Sequence, residues 1–377
     1  MTVIAGYARS PFTPARKGAL ARTRPDDIAA TVVDGLIEKL GIDPALVEDI
    51  IVGTAFPEGE QGFNLARMLT FLTDLPESVP GVTINRFCGS SMQAIHDAAG
   101  RIAMGAGEAF IAGGIESMTR IPMTGFNPMP NPRMSDVAPD ALTSMGITAE
   151  NLAVKYGIDR VTQEAFAVAS HARASGAREA GNFAEEIVSI ETEAGLVSED
   201  GCIRPGTDAE TLAGLKPAFD ASGSVTAGTS SPLTDGAAFV LVCTEEFAQA
   251  NGLKPLARIL STAVSGCAPE LMGIGPVEAS NKALERAGLT LDDIDIVELN
   301  EAFAAQSLAV IEELGLDPSK VNIDGGAIAL GHPLGASGAR ITGKAASLLQ
   351  RNGAKHALAT MCVGGGQGIA TVLEKYE

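Results

Sequence analysis

The chain has 377 residues, 46% hydrophobic and 19% charged, which places it among globular proteins of two or three domains and excludes a disordered chain. Its 46 acidic residues outnumber its 27 basic ones for a net charge of −19, which argues against nucleic acid or anionic membranes as partners. No apolar run reaches membrane-spanning length and no secretory or transit pattern opens the chain, so a cytoplasmic protein is expected.

In chain order, residues 2–8 read as a strand and Asp26–Leu40 as a helix, with Ile28, Val32, Val33, Leu36 and Ile37 on one face and Gly41 ending it. Val47–Phe56 is a strand, Asn64–Leu72 a helix and Val82–Phe87 a strand. A helix follows Cys88 and runs to about Met104. Ala109–Ala112 is a short strand ending at Gly113-Gly114. The order β-α-β-α-β-α-β predicts an α/β layer of parallel strands.

The composition changes near Ser117. Pro122, Pro128, Pro130, Pro132 and Pro139 fill residues 121–142, which read as loop. Helices are predicted at Thr148–Tyr156 and Arg160–Gly181, the second with Ala165, Phe166, Val168, Ala169 and Ala172 on its buried face. Residues 118–232 therefore read as an inserted loop or lid domain. The layering resumes near Asp235, which gives one half from 1–117 with 233–256 and another from 257–377.

The last third repeats the first. Leu291-Asp-Asp-Ile-Asp-Ile-Val-Glu-Leu is similar to Val47-Glu-Asp-Ile-Ile-Val-Gly. Cys88 follows Val52 by 36 positions, and His332 follows Val297 by 35. A small-residue helix comes next in each half, Ser90–Met104 and Ala336–Gln350, then a short strand running to glycines, Gly113-Gly114 and Gly364-Gly365-Gly366. Cys88 and His332 thus occupy equivalent corners of two similar halves. If the halves pack about a pseudo-twofold axis, the corners converge.

The five cysteines are widely spaced and lack any Cys-x-x-Cys pair, so free thiols are expected rather than disulfides or a metal site. Cys243 lies in an apolar run and reads as core, while Cys202 and Cys267 carry no functional cue. His96 and His171 lie within helices and His356 in a Lys-flanked turn. Cys88 sits where a helix begins. There the helix dipole favours a thiolate by about 0.3–1 kcal/mol, and by ~2 when partly buried, a lowering of roughly one pKa unit.

Asn85-Arg-Phe-Cys-Gly-Ser-Ser-Met-Gln-Ala resembles the nucleophile motif of thiolases. Asn300-Glu-Ala-Phe303, Gly331-His-Pro-Leu-Gly-Ala-Ser-Gly-Ala-Arg340 and Cys362-Val-Gly-Gly-Gly-Gln-Gly368 resemble that family's other three blocks, in its order and near its spacing. The resemblance covers essentially the whole chain. It implies a five-layer α-β-α-β-α fold and thioester chemistry on acyl-CoA. It further implies that Cys88 carries the acyl group, that His332 is the base and that Cys362 is the second acid/base. One oxyanion site would use His332 with a water held by Asn300, the other the N–H groups of Cys88 and Gly364.

By the same resemblance, Arg204 and Phe219 flank the nucleotide of CoA, and Ala227, Ser231, Met145, Met272 and Phe303 line the pantetheine arm. From residues alone, Met145 and Met272 read as core. CoA and acyl-CoA enter as substrates, with no permanently bound cofactor and no metal expected. A homodimer or homotetramer is implied, with a hydratase/dehydrogenase subunit as a further partner in the degradative branch. Many biosynthetic members carry a His just before the residue matching Met145, whereas this chain has Ser144. That favours 3-ketoacyl-CoA cleavage over acetoacetyl-CoA synthesis. Cys362 argues against a ketoacyl-carrier-protein synthase, which has a His or Asn in that block. A non-catalytic lipid-binding subunit would not need the intact Cys88, His332, Asn300 and Cys362.

Overall fold

The structure, a computed structural model, describes residues 1–377. The first half contains β1 (Thr2–Arg9), α1 (Pro25–Leu40), β2 (Asp49–Gly53), β3 (Gly81–Ile84), α2 (Ser90–Ala103) and β4 (Ala109–Ser117). Helices α3 (Met145–Tyr156) and α4 (Arg160–Glu179) follow, then β5 (Thr234–Thr244). The second half contains β6 (Ala257–Gly266), α5 (Gly275–Ala287), β7 (Ile296–Leu299), α6 (Ala304–Leu314), α7 (Leu334–Asn352), β8 (His356–Val363) and β9 (Gln367–Lys375). Local chemistry sets the ends of α1: Pro25 opens it, Asp26 and Asp27 face the positive end of its dipole, and Gly41 closes it at φ +64°. The five apolar residues expected on its inner face are all buried.

The strands run in the order β3-β2-β4-β5-β1-β6-β9-β8-β7. The order is nearly symmetric about the β1–β6 join, where β6 answers to β1, β9 to β5, β8 to β4 and β7 to β2. The join itself is only two residue pairs, Val3 with Arg258 and Ile4 with Ala257. Each half is therefore a sheet of its own, touching the other at one edge. A register shift between Ile4 and Gly6 breaks the alternation along β1, so that Val3, Ala5 and Ala8 enter the core under α1 and Ile4 and Tyr7 the central core. The central core holds α2 and α7 between the two sheets, and a third core lies under α5 and α6. The layers are α-β-α-β-α.

Small residues let the two central helices meet. A Cβ on Gly338 of α7 would stand 2.4 Å from the Met92 backbone nitrogen of α2. The Ser91 hydroxyl accepts from the Ala339 N–H at 2.8 Å. The resulting contact puts the start of α2 beside the start of α7.

Four features depart from expectation. The sheets are mixed: β2 pairs parallel with β3 and β4, and β7 with β8, but β5 returns antiparallel between β1 and β4. Gly113-Gly114 does not end a strand; β4 continues to Ser117 because these glycines admit neighbours, not a turn. The buried face of α4 is Gln163, Ala167, Ser170, His171, Ala174 and Ala177, while Ala165, Ala169 and Ala172 are exposed. Two of its polar members find distant partners: Ser170 donates to Glu301 at 2.6 Å and His171 Nδ1 accepts from the Arg204 N–H at 3.2 Å. His356 opens strand β8 rather than sitting in a turn. No helix is long and apolar enough to cross a membrane.

Candidate active site

Cys88 lies in a tight turn between β3 and α2. Phe87 takes the left-handed conformation at φ +43°, uncommon for a large side chain, and local polar groups hold it there. The Phe87 N–H donates to Asn85 Oδ1 at 2.7 Å, the Arg86 N–H to Ser90 Oγ at 2.9 Å, and that hydroxyl to the Phe87 carbonyl at 2.6 Å. A Cβ on Gly89 would stand 2.8 Å from Val363 of β8, so the turn presses against the second half. Two positions before α7, as Cys88 is two before α2, stands His332. Leu334, the first residue of α7, packs in the same small cluster as Cys88.

His332 is buried and its tautomer follows from its neighbours. Ser337 Oγ donates its only hydrogen to the Pro333 carbonyl at 3.0 Å, so it accepts from His332 Nδ1 at 2.5 Å. The lone pair is left on Nε2, which the Asn300 Nδ2 group approaches at 3.4 Å. The His332 N–H donates to Thr234 Oγ1 at 3.1 Å, which fixes the main chain at this corner. Asn300 stands directly after β7, and its buried Oδ1 meets no donor in the chain.

Cys362 lies on β8, and its thiol and that of Cys88 are close enough to raise the cost of ionising Cys362. The Gly364 N–H favours the Cys88 thiolate, as does the N–H of Cys88 itself. Neither N–H bonds to a backbone carbonyl. Two free donors are therefore left to serve the Cys88 side of the site.

The expected lowering of the Cys88 pKa does not hold. Loss of hydration pushes its thiol up to about 12; the Gly364 N–H opposes this and the Glu116 carboxylate adds to it. Helix α2 starts at Ser90, so Cys88 stands outside the first turn, where the dipole acts. Burial, and secondarily the Arg340 charge, pull His332 down to about 3. At rest the site pairs a neutral thiol with a neutral imidazole whose free nitrogen can accept a proton.

Known thiolases match both halves of the chain: the thiolase N-terminal domain over residues 2–246 and the C-terminal domain over 253–375. The chain belongs to the thiolase family. The 3-ketoacyl-CoA thiolase of Bacillus subtilis is 47% identical over 99% of this chain and 98% of its own length. That of Pseudoalteromonas translucida is 48% identical over 100% of this chain and 99% of its own length. Crystal structures of human mitochondrial 3-ketoacyl-CoA thiolase (38% identical, TM-score 0.92, 100% and 99% covered) and Bacillus anthracis acetyl-CoA acetyltransferase (40%, 0.91, 100% and 98%) share the fold.

In this thiolase the residues expected along CoA fall in two groups, five around Phe303 and two in a small cavity. Met145, Met272 and Phe303 pack with Cys362. Phe219 meets Phe303 edge-on at 5.7 Å and lies over Gly146. Ser231 donates to the Ala302 carbonyl at 3.1 Å, beside Phe303. Arg204 and Ala227 line a cavity of about 110 Å³ with His171 and Cys202.

Four contributors escaped the sequence reading: Ser337, Thr234, Glu116 and the Arg86–Gln367 pair. Glu116 is fully buried, and all its partners are donors: the N–H groups of Ala55 (2.7 Å), Phe56 (3.4 Å) and Gly335 (2.9 Å), Gln61 Nε2 (2.7 Å) and Thr54 Oγ1 (3.2 Å). It ties the loop after β2 to the start of α7. Arg86, Ser337 and Gln367 stand among the small residues of the motifs, where polar residues are equally common in turns, and Glu116 and Thr234 lie outside the motifs.

Proposed function

We propose that this thiolase is a 3-ketoacyl-CoA thiolase, an acetyl-CoA C-acyltransferase that uses CoA to cleave 3-ketoacyl-CoA into acetyl-CoA and a shortened acyl-CoA. The observation behind it is that Cys88 packs with Leu334, two residues after His332, while Gly89 beside it presses on Val363, next to Cys362.

His332 Nε2 takes the Cys88 proton as the sulfur attacks the 3-keto carbon. The transfer accompanies bond formation, because burial disfavours both ions at rest. The N–H groups of Cys88 and Gly364 hold the oxyanion at C3, a term worth about 10²–10³ in kcat per donor. The C2–C3 bond breaks. The carbanion, stabilised as an enolate at the thioester oxygen by protonated His332 and a water held by Asn300, takes its proton from Cys362. Acetyl-CoA leaves. Incoming CoA gives its thiol proton to the Cys362 thiolate and attacks the acyl-Cys88 thioester, which releases acyl-CoA and the Cys88 thiolate. His332 returns the proton to that thiolate. In reverse, the same groups perform the Claisen condensation.

Arg204 and Phe219 flank the CoA nucleotide, and Ala227, Ser231, Met145, Met272 and Phe303 line its arm. Residues 118–232 act as the CoA-binding insertion, between an N-terminal half of 1–117 with 233–256 and a C-terminal half of 257–377. The enzyme assembles as a homodimer or homotetramer, a reading supported by the unpaired edge of β3 and the exposed Phe63, Phe71, Leu72 and Phe87 near it. The reaction belongs to cytoplasmic fatty acid β-oxidation, where a dehydrogenase must supply the 3-keto group. A hydratase/dehydrogenase subunit is the partner to seek by co-purification.

Thiolysis of a 3-ketoacyl-CoA series from short to long chains tests the assignment. Wild-type protein cleaves several lengths, and Cys88→Ala abolishes turnover. Full turnover without Cys88 would sink the mechanism. Activity confined to acetoacetyl-CoA would make the protein an acetoacetyl-CoA thiolase, and none at any length a non-catalytic subunit.

A further inference from the structure

The Gly364 N–H sits in a segment with little of its own to hold it. Gly364-Gly365-Gly366 has no side chains, and Gly365 and Gly366 both stand at φ +77°. Glycine loses the most backbone freedom when fixed. Two contacts restrain the segment from the first half of the chain. The Phe87 ring lies over Gly364, where an added Cβ would stand 3.3 Å from it. The other contact is a hydrogen-bonded chain that crosses the halves.

Arg86 is the source of that chain. Its Nη1 donates to Gln367 Oε1 at 2.9 Å, and Gln367 Nε2 donates to the Gly364 carbonyl at 3.0 Å. On the other side Arg86 Nε donates to Gln93 Oε1 at 2.7 Å, and Gln93 Nε2 to Asp97 Oδ1 at 2.7 Å, both on α2. A guanidinium has only donors, so both amides must turn their oxygens toward Arg86 and their N–H groups away. The direction of every bond in the chain follows. The Arg86 main chain is pinned as well, through its N–H on Ser90 Oγ at 2.9 Å. One residue thus fixes the turn that carries the Cys88 sulfur and, through Gln367, the turn that carries the donor facing it.

We propose that Arg86 and Gln367 are positioning residues that register the Gly364 N–H against the Cys88 sulfur. The proposal deepens the acyl-transfer reading and rests on it for its kinetic consequence. The clamp is half-exposed, so its bonds contribute little to global stability. Its placement of an oxyanion donor is the sensitive quantity.

Three variants test it. Gln367→Ala removes both bonds. Gln367→Glu keeps an acceptor for Arg86 but turns a second oxygen toward the Gly364 carbonyl. Arg86→Ala/Gln367→Ala removes the clamp whole. The expected result is a kcat of thiolysis lowered by about 10–100-fold in all three, with KM for 3-ketoacyl-CoA within about 2-fold of wild type. Tm should hold in Gln367→Glu, and the double variant should lose no more activity than Gln367→Ala, because the residues act as one unit. Alkylation of Cys88 by iodoacetamide, followed on its peptide by mass spectrometry without substrate, should need a higher pH in Gln367→Ala, as the thiolate loses its Gly364 donor. Wild-type kcat in Gln367→Glu, a fall in kcat that only follows a fall in Tm, or an unshifted alkylation profile would each overturn the proposal. The alkylation arm needs no turnover. If wild-type protein cleaves no 3-ketoacyl-CoA, the functional assignment fails while the clamp is still tested.

Discussion

Cys88 is half-buried, and loss of hydration pushes its thiol up to about 12, while His332 is held down to about 3. A cysteine protease-like ion pair is therefore not the resting state. The sign is clear for a thiol: raising its pKa leaves the anion a small fraction that grows with each step in pH. Alkylation of Cys88 in ligand-free enzyme should climb about tenfold per pH unit between about pH 7 and 9, without a plateau. An inflection at or below about pH 8 would show the thiolate to be stabilised at rest. Both residues were legible in the sequence because the repeat sets them at matching corners. Their protonation was not. The sequence pattern shows a helix start after Cys88 but not the desolvation imposed by Leu334 and the facing sheet, nor the Glu116 charge that adds to it, which together outweigh the dipole. Ser337, which sets the imidazole tautomer, sits in plain view five residues after His332, yet only the bond to Pro333 shows which way its hydrogen points.

The elements around these corners are close-packed through glycine, and here a local reading misleads. Gly113-Gly114 looks like a strand end, but a Cβ on Gly114 would stand 2.2 Å from the Gly335 carbonyl oxygen and 2.5 Å from that of Gly53. The glycine is there for the contact between β4 and the start of α7. Substituting Gly114→Ala should destabilise the fold by about 1–3 kcal/mol, as overpacking of a rigid backbone does. Gly100, exposed on α2 with nothing near its Cβ position, supplies the opposite case. Gly100→Ala should stabilise by about 0.5–1 kcal/mol through helix propensity. Urea midpoints of the two variants should fall on either side of wild type. Equal midpoints would show that the α7 start can move aside. The inner face of α4 was misjudged for a related reason. Its alanines and valine suggested one stripe, whereas the packed stripe carries Ser170 and His171, whose partners Glu301 and Arg204 lie far off in sequence.

Across the whole molecule, buried charge joins the three long stretches of chain. Arg9 of β1 donates to Glu186 at 2.9 Å and to both oxygens of Asp200 at 2.7 and 2.8 Å. Glu186 also accepts from Lys344 of α7 at 3.1 Å, and Lys344 reaches Asp324 at 2.7 Å. Glu186 and Asp200 belong to residues 118–232, Arg9 to the first half, and Lys344 and Asp324 to the second. No local pattern could have shown this, since Arg9 and Glu186 are 177 positions apart. Each charge is expensive to bury alone, so removing one partner strands the others. Glu186→Ala should cost about 3–5 kcal/mol in urea unfolding. Arg24→Ala removes pairs whose arginine side chain is 49% exposed and should cost less than about 1 kcal/mol. A midpoint for Glu186→Ala no lower than that of Arg24→Ala would show the network to be dispensable. The functional consequence has a direction too. The inserted stretch carries Met145, Arg204, Phe219, Ala227 and Ser231, while Cys88 and His332 belong to the halves. Loosening the insertion should raise KM for CoA and leave the pH profile of Cys88 alkylation unmoved. A shifted profile would mean that the insertion shapes the thiol site as well as the proposed CoA channel.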